Sequence, residues 1–459
     1  MQRAVTLPEG TGLNRTLLLT LLLLAFLNLL MPMRLAADET LNGLAVGAVL
    51  IAVTLPALSR QAAREGDKRL YWLLVAALVL KLIGALVRLY VIDDVYGGIA
   101  DANGYYRRAS EVANRLAAGN YDTGLEFRLG GDWVVLVASV LFTVIGPSKL
   151  AGFLFFSWLG FWGIFLMYRA FTIAVPEGTS RAYAYLLFFM PSILFWPSSI
   201  GKEAVMTFTL GIAALGAAWI LAGSIARGLV TASIGLWLAA LVRPHVSGMM
   251  VVALAAALLL RPARNKHGRF APVAKVVGLI GVGVVTILLL QRADAFLSRQ
   301  GIDTSEGVSG ALEATIDRTD KGGSEYAASP LESPSQAPLA IATVLFRPLI
   351  TEAHNTQARV AAVEGTLLLF LTIVRFPRIL RGIRNLRRHS YLAFALIYAL
   401  LFALAFSSFS NFGILTRERV QMFPFYFVLL AVPSVVKATK QRREFPPMVP
   451  SAVPARSGR

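Results

Sequence analysis

A chain of 459 residues that is 56% hydrophobic and only 15% charged does not have the composition of a soluble globular protein. Its formal net charge of +18 would suggest nucleic acid in a soluble chain. Here Lys and Arg gather in short loops between apolar runs, as the positive-inside rule requires, and nucleic acid is not expected as a partner. With no cysteine, there is no disulfide framework, no cysteine zinc site and no thiol nucleophile.

Repeated apolar runs of about 17–23 residues match a bilayer core of about 30 Å. The fold class read from them is all-α: a polytopic transmembrane helical bundle of about twelve spans. Residues 1–69 carry two N-terminal helices, at 16–33 and 41–59. No cleavage site precedes the first run, so it is expected to stay as a span. The basic loop with Arg60, Arg64, Lys68 and Arg69 is expected to be cytoplasmic, and the N-terminus with it. A membrane domain over 70–292 follows. Its first span is 70–92, and its first polar loop, 93–132, then faces outward.

Six apolar runs separate that loop from the next basic anchor, at Arg261, Arg264, Lys266 and Arg269: 133–147, 149–170, 182–199, 203–222, 228–243 and 245–261. Passing from outside to inside takes an odd number of crossings. The shortest run, Trp133 to Gly146, is therefore expected to lie in the interface or to enter without crossing. A span at 274–292 leads to a second external loop, 293–337, with eight acids and three basic residues. C-terminal membrane helices occupy 338–436. The piece 338–350 is short and interrupted by Arg347-Pro348. The segment 358–374 crosses inward to Arg375, Arg378, Arg381, Arg384, Arg387 and Arg388, and spans at 390–408 and 420–436 finish the domain. The basic tail 437–459 is expected to be cytoplasmic and disordered.

Sorted by this topology, the unusual polar residues fall on the outer side. They are Asp93, Asp94, Asp101, Tyr105, Tyr106, Arg128 and Asp132, then Trp196-Pro-Ser-Ser-Ile-Gly-Lys202-Glu203 and Arg243-Pro244-His245. Arg347 with Glu352 and His354 follows, and then Arg417-Glu418-Arg419. Long cations at span ends often only snorkel. The face that should be poor in Lys and Arg nevertheless holds Lys202, Arg243, Arg347, Arg417 and Arg419. Such a cluster suits a phosphate or pyrophosphate, which Arg grips through paired hydrogen bonds. Gly201-Lys202-Glu203 lacks the glycine spacing of a phosphate-binding loop. His245 and His354 do not form a metal-binding pair, and a divalent metal ion stays open as a cofactor. Ser198 and Ser199 read as caps of the helix starting near Lys202 rather than as nucleophiles. Span interiors are nearly free of charge, Glu364 being the main exception, and no transporter-type internal repeat stands out.

Asp101 followed by Tyr105, Ala109 and then Leu116-Ala-Ala-Gly119-Asn-Tyr121-Asp resembles the first external loop of the GT-C class of membrane glycosyltransferases. That class includes the protein mannosyltransferases and the lipid A aminoarabinose transferases. Gly146-Pro-Ser-Lys-Leu-Ala-Gly and Ala182-Tyr-Ala-Tyr-Leu-Leu-Phe-Phe-Met-Pro191 are similar to the membrane segments that follow in that class. The resemblance covers roughly residues 70–220. It implies inverting transfer of a sugar from a polyprenyl-phosphate-linked donor to a lipid, glycan or protein hydroxyl at the outer face of the plasma membrane. Membrane lipids and the lipid-linked donor would be the partners, and both termini would be cytoplasmic. Asp101 would be the general base, with Asp93 and Asp94 as rivals, since Asp101 has no adjacent acid. Lys202, Arg243 and Arg347 would neutralise the leaving phosphate, and Tyr105 and Tyr106 would stack on the sugar. Glu203, His245, His354, Arg417 and Arg419 complete the expected binding set. The C-terminal half is similar instead to O-antigen polymerases and ligases, through loop 293–337, Arg243-Pro-His245 and Arg417-Glu-Arg419. A transporter or flippase of an anionic lipid-linked substrate is the reading from a different class.

Overall fold

The structure is a computed structural model that describes residues 37–176, 180–261, 326, 333–387 and 389–432. In chain order the helices are α1 (Ala37–Glu65), α2 (Lys68–Tyr90) with a π turn Val91–Val95, α3 (Asp101–Ala117), α4 (Gly131–Ile145) and α5 (Lys149–Ala174). Next come α6 (Ser180–Phe189), α7 (Pro191–Phe195), α8 (Lys202–Ala222), α9 (Ile225–Val242) and α10 (Pro244–Leu260). The last are α11 (Ala337–Phe346), α12 (Thr356–Arg384), α13 (Ser390–Ala405), α14 (Phe412–Glu418) and α15 (Phe423–Leu430). There is no β-strand among the described residues.

Six of these segments are long and apolar enough to cross a membrane: Glu39–Glu65, Lys68–Val95, Lys149–Ala174, Lys202–Ala222, Ile225–Val242 and Thr356–Arg384. The expected spans at 16–33 and 274–292, most of loop 293–337 and the tail 437–459 lie outside the described residues. Four other expected spans are shorter or broken. The run 245–261 is the 17-residue α10, and 390–408 is the 16-residue α13. Within 420–436 the described helix is the eight-residue α15. The run 182–199 is not one helix but α6 and α7, because Pro191 supplies no N–H and forces Met190 to extended backbone (ψ 125°).

Lipid-facing surfaces account for the apolar exteriors. On α12, Val360, Val363, Leu367, Phe370 and Val374 are exposed at three- and four-residue steps, one continuous helical stripe. α9 presents Val230, Ile234 and Trp237 in the same way. Apolar surface of this extent is not left in water. The centre of the bundle is α8, packed on α5 and α9. There small residues let backbones meet: a methyl group at Gly163 would overlap the Thr207 carbonyl, and one at Gly211 the Gly163 carbonyl.

Side-chain contacts define the two ends of the bundle. At one end Glu39 of α1 accepts from the Lys149 N–H (2.7 Å), and the Lys149 ammonium holds Asp93 after α2 (2.6 Å). At the other, the Tyr168 hydroxyl donates to Glu65 (2.8 Å) and Arg181 pairs with Asp67 (2.8 Å). The broken segment α6–α7 therefore runs from Arg181 at the second end to Lys202 at the first. α4, with 15 residues, is about 22 Å long and starts and finishes at the first end. The Gly130 N–H donates to Leu241 O (2.8 Å), and Ile145 turns directly into Lys149. Both of its termini therefore lie at that end, and it packs on the amphipathic α3, whose Ala109, Val112 and Ala113 are buried.

The expectation that span interiors are nearly free of charge does not hold. Lys81 and Arg88 both lie buried within α2. The Lys81 ammonium donates to Ile193 O (2.6 Å) at the C-terminal end of α7. Glu364 of α12 accepts from Ser192 N (2.7 Å) and Ser192 Oγ (2.6 Å) at its N-terminal end. A cation at the carbonyl end and an anion at the N–H end match the dipole of the short helix and satisfy backbone groups freed by the break.

Candidate functional site: a charge network at one end of the bundle

Asp101 opens α3 after an extended Ala100 (φ −156°, ψ 152°). A carboxylate there is favoured by the positive end of the helix dipole. Its side chain is 63% exposed and stands 3.1 Å from Arg417 Nη1. Arg417, 316 positions away in sequence, is delivered by α14, whose N-cap Asn411 accepts from Ile414 N (3.1 Å). The Nε of Arg417 reaches Glu203 Oε1 at 2.7 Å. Glu203, in the first turn of α8, takes Arg243 Nη2 on the same oxygen at 3.0 Å. Arg243, at the junction of α9 and α10, is 7% exposed. It forks onto Glu418 through Nη2 (2.7 Å) and Nη1, and Gln421 Nε2 donates to the same carboxylate (2.8 Å). The result is a chain of carboxylates and guanidinia from the exposed Asp101 down to the buried Glu418.

The electrostatics follow from this packing. Glu203 chiefly, with Glu418 and Asp101, raises Arg417 above its ordinary value against the opposing effect of burial, so it stays charged. Burial, reinforced by Asp101 and Glu203, pushes the Tyr105 phenol well above its usual value. Tyr105 is therefore a neutral hydroxyl beside Asp101. Lys202 is half-buried next to Arg243, Glu203 and Arg417 and makes no hydrogen bond or ion pair among the described residues. His245 packs against Phe406 (ring centroids 6.1 Å) close to Arg243 and Lys202.

The fold thus brings together Asp101, Tyr105, Lys202, Glu203, Arg243, His245 and Arg417. It does not bring in the rest. Asp93 is held by Lys149 and by Asn103 Nδ2 (3.3 Å), while Asp94 is exposed in the π turn. Tyr106 packs edge-on against Phe142 (5.7 Å). Arg347 is forked onto Glu352 (2.6 and 2.9 Å) and lies over Tyr326 (4.5 Å). Arg419, fully buried, donates to Arg347 O (2.6 Å) and stands 3.8 Å from Glu364. His354 is exposed in the loop before α12. Arg128 pairs with Glu126, and Asp132 takes Arg108 (2.7 Å).

Two expectations change with this geometry. Arg243 and Arg347 were to neutralise a phosphate, but each guanidinium is already forked onto a carboxylate, so its charge is spent inside the protein. Ser198 and Ser199 do not cap α8: its N-cap is Gly201, without a side-chain cap. Ser198 Oγ instead donates to Leu194 O (2.6 Å). Sequence reasoning missed Glu418, hidden between the two arginines it was read with, and Gln421. It also missed Arg88 and Lys81, although a seven-residue spacing inside the apolar run 70–92 puts both on one helical face. Among the described residues no group of three or more His, Asp or Glu comes together to hold a metal ion, and Glu203 and Glu418 are both engaged by Arg243. Compared with protein-family models, curated proteins and solved structures, the chain matches none.

Proposed function

We propose that this membrane protein is a glycosyltransferase. It moves a sugar from a polyprenyl-phosphate-linked donor to a hydroxyl of a lipid, glycan or protein at the outer face of the plasma membrane. The observation that carries the reading is Asp101: an exposed carboxylate whose position is fixed by Arg417, itself anchored on the buried Glu203–Arg243–Glu418 chain. In the reaction the acceptor oxygen attacks the anomeric carbon from the face opposite the phosphate. Its proton passes to Asp101, and the electron pair of the breaking carbon–oxygen bond goes to the phosphate. Arg417 orients the base, and the neutral Tyr105 hydroxyl offers a hydrogen bond to the sugar. General-base catalysis of this kind contributes about 10²–10⁴-fold. The test is Asp101→Asn in purified, lipid-reconstituted protein supplied with a polyprenyl-phosphate sugar. Transfer should fall by about 10²-fold or more with thermal stability unchanged, and full retained transfer overturns the assignment.

One observation favours a second reading, transport of an anionic lipid-linked substrate. The broken segment α6–α7, with Lys81 and Glu364 buried at its two sides, has the form of a discontinuous membrane helix with ionisable groups at its break. Flux of the lipid-linked substrate in liposomes, with no covalent product, selects it over transfer.

A further inference from the structure

Lys81 and Arg88 share one face of α2 and both meet the segment that follows the proline break, but only one of them is fully satisfied. Lys81 has two carbonyl partners, at 2.6 and 3.4 Å. Arg88 is 7% exposed and lies against the rings of Phe195 and Trp196, 4.7 Å from each centroid. Its Nε and Nη1 groups have no hydrogen-bond partner among the described residues. Its polar surroundings are Tyr96, which shares a hydrogen bond with it, Glu203 and Arg417. Glu203 lies near it, but no salt bridge joins the two among the described residues, and Glu203 Oε1 is already shared by Arg243 and Arg417. A buried charge is normally paired, and one left with unfilled N–H groups is destabilising to the empty protein. Aromatic faces offset part of that cost and leave the in-plane donors open.

Two further features stand at the same place. Lys202 makes no ion pair among the described residues, and α8, a helix of 21 residues, has Gly201 as its N-cap with no side-chain cap hydrogen bond, Glu203 being the one acid of its first turn. Within the network three carboxylates (Asp101, Glu203 and Glu418) face four cations (Arg88, Lys202, Arg243 and Arg417). The local excess is positive, and the two cations not locked in forks are Arg88 and Lys202.

We propose that Arg88, with Lys202 and the first turn of α8, forms an anion site that takes a phosphate ester group beside the Asp101–Arg417 pair. Planar guanidinium donors suit phosphate oxygens, and a helix N-terminus adds N–H groups of the same polarity. The identification of that phosphate with the substrate's own rests on the transferase reading above, whereas its binding does not require transfer. Trp196 and Phe195 hold the guanidinium by its faces, so the aromatic pair is part of the site. The assignment also removes the phosphate role from Arg243 and Arg347.

The experiment is ligand binding to full-length protein in nanodiscs of zwitterionic lipid, with polyprenyl phosphate, uncharged polyprenol and inorganic phosphate as probes. Affinity and thermal shift are read for wild type, Arg88→Met and Arg88→Lys. Polyprenyl phosphate is expected to bind wild type and raise its melting temperature, and polyprenol to do neither. Arg88→Met should weaken phosphate binding at least tenfold while leaving the melting temperature of the empty protein unchanged or higher, because it removes an unpaired buried charge. Arg88→Lys should fall between. Inorganic phosphate matching the lipid phosphate in affinity assigns the site to a free anion; a large preference for the lipid assigns it to the carrier. Unchanged phosphate binding in Arg88→Met, or a fall in the stability of the empty variant with binding intact, overturns the proposal and makes Arg88 a packing residue. Phosphate binding that depends on Arg88 in a protein with no transfer activity would sink the transferase reading and leave this site standing.

Discussion

Replacing Arg243 with Met tests whether the charge network holds the bundle end together. The substitution keeps the side chain's apolar length and removes one guanidinium from between two carboxylates. Glu203 keeps a cation, since Arg417 Nε remains 2.7 Å away. Glu418 loses its only ion-pair partner among the described residues and retains the Gln421 amide at 2.8 Å. One carboxylate, 9% exposed, is then buried without a directly paired cation. Removing one member of a buried pair costs about 3–5 kcal/mol, and the surviving bonds of both acids place the expected loss near the lower figure, about 3 kcal/mol. For a chain of 459 residues that corresponds to a fall of roughly 3 °C in melting temperature, read from tryptophan fluorescence at one fixed heating rate because membrane-protein unfolding is often irreversible. Arg243→Met combined with Glu418→Gln should recover a large part of the loss, giving a coupling of about 1–3 kcal/mol between the two positions. An unchanged melting temperature in the single variant, or simple additivity in the double, refutes a stabilising network and returns Arg243 to the pool of cations open to substrate.

Two other perturbations separate charge from packing. Partial burial pushes the Glu352 carboxyl up, but the Arg347 hydrogen bonds and the Leu349 N–H outweigh it, so its value lies below the usual 4.5. With a depressed folded value, its contribution is fully present above about pH 4.5 and is lost as pH falls through the folded value. Glu352→Gln should therefore flatten the melting-temperature profile below that pH and leave its neutral arm offset by a constant; an unaltered acid limb contradicts the pairing. Gly211→Val places a branched side chain where α8 meets the Gly163 carbonyl of α5. Overpacking of this kind costs about 1–3 kcal/mol or more, seen as a reduced folded yield and melting temperature, whereas Gly223→Asn at the left-handed C-cap of α8 (φ 106°) should be mild by comparison.

What the amino-acid order alone determines here is local. Apolar runs of sufficient length specify α1, α2, α5, α8, α9 and α12 as membrane-length helices, because a helix satisfies its own backbone and needs only an apolar exterior. Loop charge and run length also single out 133–147, whose helix α4 begins and ends at one end of the bundle. Asp101 was visible for the same reason: a carboxylate at a helix start just past an apolar boundary is a local feature. Prolines were visible too, but the consequence of Pro191 was underestimated. The break at Met190 becomes tolerable only because Lys81 and Glu364, from two other helices, cap the freed groups, and neither partner is near in sequence. Which cations are spent and which are open was equally out of reach. Arg243 looked like a phosphate ligand until Glu418, 175 positions on, was folded against it, and Arg88 looked like part of an apolar run. Pairing across such separations depends on which helix faces meet, and in a membrane those faces are chosen by close backbone packing at small residues such as Gly163 and Gly211, not by the charges themselves.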